Sequence, residues 1–168
     1  LVFGMYNVGL QHFLAIGEPN AKWTTMLVFG LLAMLPTIVV SYAVGLGIEF
    51  ISAQIHHKEI QEGFLVSGIL IPMIVPINTP LWMVAVATAF AVVFAKEVFG
   101  GTGMNIFNVA LVTRAFLFFA YPSKMSGDSA FVKTSSALGF GGGTVADTFT
   151  GATPLGQIAT NVGGSLNL

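Results

Sequence analysis

Cysteine is absent from this chain of 168 residues, and charge is scarce: five lysines, one arginine, five glutamates and two aspartates, together 8 % of the sequence. Without cysteine there is no disulfide, no cysteine-ligated iron–sulfur cluster and no thiol nucleophile, so redox chemistry on this chain requires an organic cofactor. Soluble domains carry about 25 % charged residues, which this chain does not approach. Its net charge of −1 supplies neither a basic field for nucleic acid nor an acidic field for cationic partners. Histidine is nearly missing as well, and His56 and His57 are adjacent, hence on different helical faces with no third ligand in view, so no metal site is expected. There is no initiator methionine, no charged leader and no internal repeat, and the chain reads as an internal fragment of a larger subunit.

What is present is apolar. Hydrophobic residues make up 55 % of the chain, fifteen of them Phe, and mean hydropathy is +0.86. A domain this small buries only part of its surface, so lipid must cover the remainder. The expected fold is all-α, a polytopic transmembrane bundle. Lys22 and Glu49 bracket 26 uncharged residues, and about 20 suffice to cross a bilayer core. Trp23 and Tyr42 suit its interfaces, and Pro36 could kink it. A further 33 uncharged residues run from Gly63 to Ala95, too long for one ordinary span and too short for two with a loop. Pro72, Pro76 and Pro80 divide this run, and PINTP at its centre should break the helix, because each proline removes a donor and disfavours helix before it. Irregular backbone at that depth needs protein or water around it, which predicts a broken helix facing a cavity; two short helices joined at the surface are the alternative. The helices are placed at about 1–16, 23–55, 63–75, 81–95 and 104–121. From Pro122 onward Ser, Thr, Gly and Asn dominate, so 122–168 reads as an extramembrane or lumen-lining loop.

Several polar residues require an explanation. Glu49 ends the long uncharged run, either as a functional carboxylate or as an interfacial one marking the exit from the bilayer. Gly45 and Gly47 do not share a helical face and could open room for a ligand. Arg114 lies among uncharged residues, where an unpaired Arg costs about 2.5–3.5 kcal/mol. It needs an ion-pair partner such as Glu97 or Asp128, a snorkelling geometry, or an anionic ligand such as a phosphate or flavin. Asn105 and Asn108, three apart, would share a helical face and converge on a polar ligand edge or on a neighbouring helix. FGGTG at Phe99–Gly103 lacks the lysine-and-hydroxyl ending of a nucleotide loop and reads as a close-approach turn.

The blocks GFLVSGILIPMIVP (63–76), AKEVFGGTGMNIFN (95–108), RAFLFFAYP (114–122) and SGD (126–128) resemble the NqrB/RnfD family, which comprises membrane subunits of the bacterial sodium-pumping NADH:quinone oxidoreductase and their counterparts, of the same plan, in the Rnf complex. The blocks look closer to the quinone reductase. The resemblance runs from about Gly45 to Gln157. It implies a urea-transporter-like fold in the bacterial inner membrane. It also gives meaning to DTFTGATP at 147–154, which alone would be an ordinary loop turn. In that family a D-x-x-[ST]-G-A-T motif receives FMN as a phosphoester on its last threonine from a flavin transferase. The motif falls here on Asp147, Thr150, Gly151, Ala152 and Thr153, so Thr153 is the implied attachment site.

The same resemblance implies a quinone or inhibitor region at Gly45, a sodium path at Glu49 and non-covalent riboflavin at Asn105 and Asn108. A second glycine of the family is replaced here by Leu46. Implied partners are the other subunits of the complex, quinone, Na+, the transferase and the lipid bilayer. The flavin loop would face the periplasm, an orientation that the evenly spread Lys58, Lys96, Lys124 and Lys133 do not fix. Competing classes are an Rnf-type electron-transfer protein, a channel or solute transporter without redox chemistry, and a purely structural partner within a complex.

Overall fold

The computed structural model describes residues 1–17, 22–56, 63–101, 103–125 and 132–133. These are all-helical, with no strand among the described residues. In order they form α1 (Val2–Ile16), α2 (Trp23–His56), α3 (Phe64–Ile74), α4 (Leu81–Ala95), a 3-10 turn (Glu97–Phe99), α5 (Val109–Ala120) and the single turn α6 (Pro122–Met125). Two stretches, Trp23–Ile55 and Leu81–Phe99, are long and apolar enough to cross a membrane. With side chains such as Phe119, 84 % exposed, and Phe3, 79 % exposed, the helices are consistent with a membrane protein.

Glycine and proline set the helix ends. α1 stops at Gly17, whose left-handed backbone (φ 88°) turns its N–H back onto the Leu14 carbonyl at 3.2 Å. α3 stops before Pro76, which pushes Val75 into an extended conformation (φ −93°, ψ 138°). α4 starts after Pro80, whose carbonyl accepts the Met83 and Val84 amides at 3.0 and 3.3 Å. Gly100, Gly101 and Gly103 all have positive φ, a backbone that a side chain at any of these three positions would strain.

α2 is the central element, packing on α1, α3 and α4, while α5 covers α3 and α4. At about 1.5 Å per residue, α2 is about 50 Å long, whereas α3 and α4 reach about 16 and 22 Å. α3 and α4 follow one another across Val75–Pro80 but barely touch side by side; each packs on α2 and α5 instead. The main core is built from Phe64, Ile71, Val84, Val92, Val109 and Leu117 among others, and a second cluster of Phe13, Met26, Phe29 and Ala33 joins α1 to α2.

The seams of α2 are made by glycine. A methyl group at Gly9 would overlap the Met26 carbonyl, and one at Gly30 the Met5 carbonyl. Four residues back along α1 match four residues forward along α2, the register of an antiparallel pair in backbone contact. On the other side of α2 the exchange involves rings. Phe64 of α3 fills the space over Gly45, and Tyr42 of α2 fills the space over Gly68, the two rings meeting edge to face at 6.4 Å.

The same seam resolves a proline. Pro72 lies inside α3 and has no N–H for the Gly68 carbonyl. Ser41 of α2 supplies a replacement donor, its Oγ lying 2.8 Å from Gly68 O and 2.9 Å from Ile38 O, so that its single proton is shared between the two carbonyls. Tyr42 adds a bond from its hydroxyl to Leu65 O at 2.6 Å.

Candidate functional site

Three charged side chains, Glu49, Lys96 and Glu97, meet where α2 packs on the end of α4. Glu49 and Ser52 lie three residues apart on one face of α2. That face meets the C-terminal end of α4, where Lys96 and Glu97 follow in succession. Lys96 Nζ donates to Glu49 Oε1 in a salt bridge whose side chains are only 6 % and 4 % exposed. Ser52 Oγ donates to Glu97 Oε2, which holds the Glu97 carboxylate on the same face of α2 as Glu49, one turn along. Glu49 Oε2 is buried and has no hydrogen-bond partner. Lys96 also places its positive charge just past the last turn of α4, where the helix carbonyls are partially negative. Glu49 is therefore no interfacial acid in water; it is enclosed by protein and paired. Sequence reading missed Lys96 and Ser52 as its neighbours. The available signal was that Glu49 and Lys96 are each the first charge after a long uncharged run.

Gly45, one turn before Glu49, does not open a vacant space. The ring of Phe64 occupies it, which corrects the expectation that glycine there leaves room for a ligand. At Gly47 a methyl group would meet nothing within 4 Å.

Arg114 is exposed on α5, and its guanidinium donates to the Ile74 carbonyl at 3.2 Å. That carbonyl closes α3, so the cation sits where a helix end is partially negative and its last carbonyls lack partners. The expected pairing with Glu97 does not occur, and the alternative partner Asp128 lies outside the described residues.

Asn105 and Asn108 do not share a helical face. The helix expected from residue 104 begins at Val109, because Asn108 serves as its N-cap, with Oδ1 accepting from the Ala110 and Leu111 amides at 2.9 and 3.3 Å. Asn105 precedes the helix and is bonded locally, accepting from Gly103 N at 3.3 Å and donating to Phe107 O at 3.2 Å. Both lie exposed beside Met104, Ile106 and Phe107, which are exposed as well. The capping oxygen of Asn108 is committed, which leaves its amide N–H2 as a donor toward a ligand.

A third polar locus was not anticipated. His12 of α1 is fully buried, stacked on Phe29 at 4.0 Å, with Nδ1 at 2.7 Å from the Lys133 carbonyl and Nε2 unpartnered. Asn78, inside the α3–α4 break, donates to the neighbouring Val132 carbonyl at 2.6 Å. Burial pushes the Lys133 ammonium below the ordinary lysine range. The signal for His12 was present, a lone histidine in an apolar helix. The motif residues Asp147, Thr150, Gly151, Ala152 and Thr153 lie outside the described residues.

The profile of the NQR2, RnfD, RnfE family matches residues 1–167. Relatives named as one and the same subunit of Na(+)-translocating NADH-quinone reductase align with nearly the whole chain. The protein of Klebsiella pneumoniae subsp. pneumoniae is 38 % identical over 194 aligned positions, covering 99 % of this chain and 44 % of the relative. That of Chromohalobacter salexigens is 40 % identical, covering 96 % and 41 %. That of Pseudomonas aeruginosa is 42 % identical, covering 86 % and 40 %. The chain thus spans less than half the length of the relatives it matches.

Proposed function

The chain belongs to the NQR2, RnfD, RnfE family, and on that premise we propose that it is a segment of a membrane subunit of a sodium-translocating NADH:quinone reductase in the bacterial inner membrane. Its partners there are the other subunits of the complex, quinone and Na+. The observation that carries the reading is the enclosed Glu49–Lys96 pair between two helices long and apolar enough to span a bilayer. Such a charged site is costly in that setting and is retained where ions pass. The relatives' shared name supports the same reading.

In this proposal Thr153 carries FMN through a phosphoester, attached by a flavin transferase that recognises Asp147, Thr150, Gly151 and Ala152 on the periplasmic side. A threonine hydroxyl supplies the oxygen such an ester requires. Riboflavin is placed at Asn105 and Asn108. The donor set fits it: the free amide N–H2 of Asn108 suits a polar ring edge, and Met104, Ile106 and Phe107 offer apolar surface for a ring face. Asn105 shapes the loop, since both of its amide atoms are bonded locally. Flavins so bound would supply one- and two-electron chemistry, with the protein providing position and electrostatics. Gly45 shapes the quinone region through the ring of Phe64 that it seats. Glu49 lines the sodium route. The α3–α4 interruption is read as a break in a transmembrane element of a urea-transporter-like fold, because α3 is too short to span by itself and is followed end to end by α4, with both packed on α2.

The test is mass spectrometry of the 147–157 peptide from protein matured with the transferase, together with flavin fluorescence of the chain in a denaturing gel. An added FMN on Thr153 and a fluorescent band are expected. An unmodified peptide and a dark band would leave the non-redox channel or transporter as the better reading.

A further inference from the structure

We propose that Lys96 is a tethered counter-cation for Glu49, occupying the carboxylate that a transported sodium ion must take and leaving it when the ion arrives. The proposal rests on the sodium-route reading of Glu49 and deepens it.

Three observations carry it. First, Glu49 and Lys96 pair in a nearly water-free setting, 5 % exposed each. A bare carboxylate there would be strongly disfavoured, so Glu49 is stable as an anion only with a cation beside it. Second, the local charges do not cancel. Among the described residues the cluster holds two carboxylates, Glu49 and Glu97, against one ammonium, Lys96, an excess of one negative charge that a monovalent cation would neutralise. Third, Glu49 Oε2 is buried with no hydrogen-bond partner. An unbonded buried oxygen is costly, and a carboxylate oxygen is a hard ligand of the kind that small inorganic cations prefer over nitrogen or sulfur.

The exchange follows from this arrangement. An arriving sodium ion meets Oε2 while the ammonium holds Oε1, and as the ion takes the carboxylate the ammonium turns to Glu97, its neighbour in the chain. The Glu49 carboxylate faces a cation throughout, and the departure of sodium lets Lys96 return. Lysine suits this use better than arginine, since its ammonium is a compact point charge on a flexible stem, whereas a guanidinium forks onto both carboxylate oxygens at once.

The experiment measures the sodium dependence of quinone reduction by the assembled complex carrying Lys96→Met, Lys96→Arg or Glu49→Gln. Removing the competing cation in Lys96→Met should lower the KM for Na+ about ten-fold. Lys96→Arg should raise it several-fold, because the fork also occupies Oε2. A merely structural ion pair gives a different pattern, with assembly or activity lost in Lys96→Met at every sodium concentration and a normal sodium KM restored in Lys96→Arg; that result overturns the proposal. Where Lys96→Met assembles poorly, its yield is compared in NaCl and in choline chloride. Rescue by sodium alone supports the proposal, and equal yields overturn it. Glu49→Gln separates the two levels of inference. An unchanged sodium response in that variant removes the sodium-route reading and this proposal with it. A shifted response there, with wild-type sodium KM in both Lys96 variants, removes the exchange alone.

Discussion

Replacing Ser41 by Ala should uncover the cost of the proline in α3. Pro72 cannot donate to Gly68 O, and Ser41, fully buried, does so at 2.8 Å from α2. Ser41→Ala leaves that carbonyl buried and unsatisfied, a loss of about 1–3 kcal/mol. Pro72→Ala returns an N–H to the correct position within the helix, so in that background Ser41→Ala should cost less than about 0.5 kcal/mol, and the coupling in the double-mutant cycle should be about 1–2 kcal/mol. A reporter follows from the composition: the chain has no cysteine, so a cysteine introduced at Ile71, itself completely buried on α3, reads opening of the α2–α3 seam by its rate of thiol labelling. When reclosing outpaces labelling, about 2 kcal/mol of destabilisation raises that rate about 30-fold. The expected result is a large acceleration in Ser41→Ala that largely disappears in Ser41→Ala/Pro72→Ala. Equal acceleration in the two backgrounds would refute the assignment of Ser41 as the donor that replaces the proline N–H.

Three further outcomes test the surrounding geometry. Gly45→Ala should destabilise the α2–α3 seam by about 1–3 kcal/mol through overpacking against Phe64, and Phe64→Leu should relieve it; altered quinone affinity at unchanged stability would instead assign the space to a ligand. Arg114→Leu should cost about 1 kcal/mol by uncapping the α3 carbonyl end, with Arg114→Lys retaining part of it, and an unaltered thermal midpoint for Arg114→Leu would refute the capping role. Asn108→Ala should cost α5 about 1 kcal/mol, whereas Asn108→Asp should keep the cap and lose bound riboflavin, because a carboxylate accepts from Ala110 N but has no N–H2 to offer; retained riboflavin in Asn108→Asp would remove the amide from the proposed site.

How much of this was legible in the sequence depended on whether the cause was local. Helix ends at Gly17, Pro76 and Pro80 were readable because left-handed glycine and the steric demands of proline act on adjacent residues. The FGGTG turn was readable for the same reason. The start of α5 was missed by five residues because Asn105 and Asn108 fit a helical spacing equally well, and only the side-chain bond from Asn108 to Ala110 N turns the second asparagine into a cap. Pairings between distant segments carried no local mark. Nothing in VGLGIEF indicates that Phe64 lies over Gly45 or that Lys96 faces Glu49, and nothing near Arg114 identifies the Ile74 carbonyl as its acceptor. That Glu49 and Arg114 each required a partner was visible from the energetics of charge in an apolar run; which partner was decided by helix register.

The interruption between α3 and α4 shows how those pairings are used together. Breaking a helix frees backbone carbonyls and amides that lipid cannot satisfy, so an interruption survives only where protein supplies the missing bonds. Three donors supply such bonds, and two further contacts hold a neighbouring segment. Arg114 of α5 takes Ile74 O. Within the break, Thr79 N takes Pro76 O at 3.1 Å. Ser41 of α2 takes the carbonyl freed by Pro72. Asn78 turns outward to Val132 O, while His12 of α1 holds Lys133 O one residue on. Two successive carbonyls of the segment that leads toward Thr153 are thus gripped by the break on one side and by α1 on the other. Displacement of the break must therefore pull on that segment or give up a part-buried hydrogen bond, a cost of at most about 1–3 kcal/mol per group left unpaired. The Thr79 hydroxyl and His12 Nε2 are already buried without partners, so the polar groups around the break are not all satisfied in this arrangement, and a second arrangement that pairs them would not begin from a fully bonded ground state.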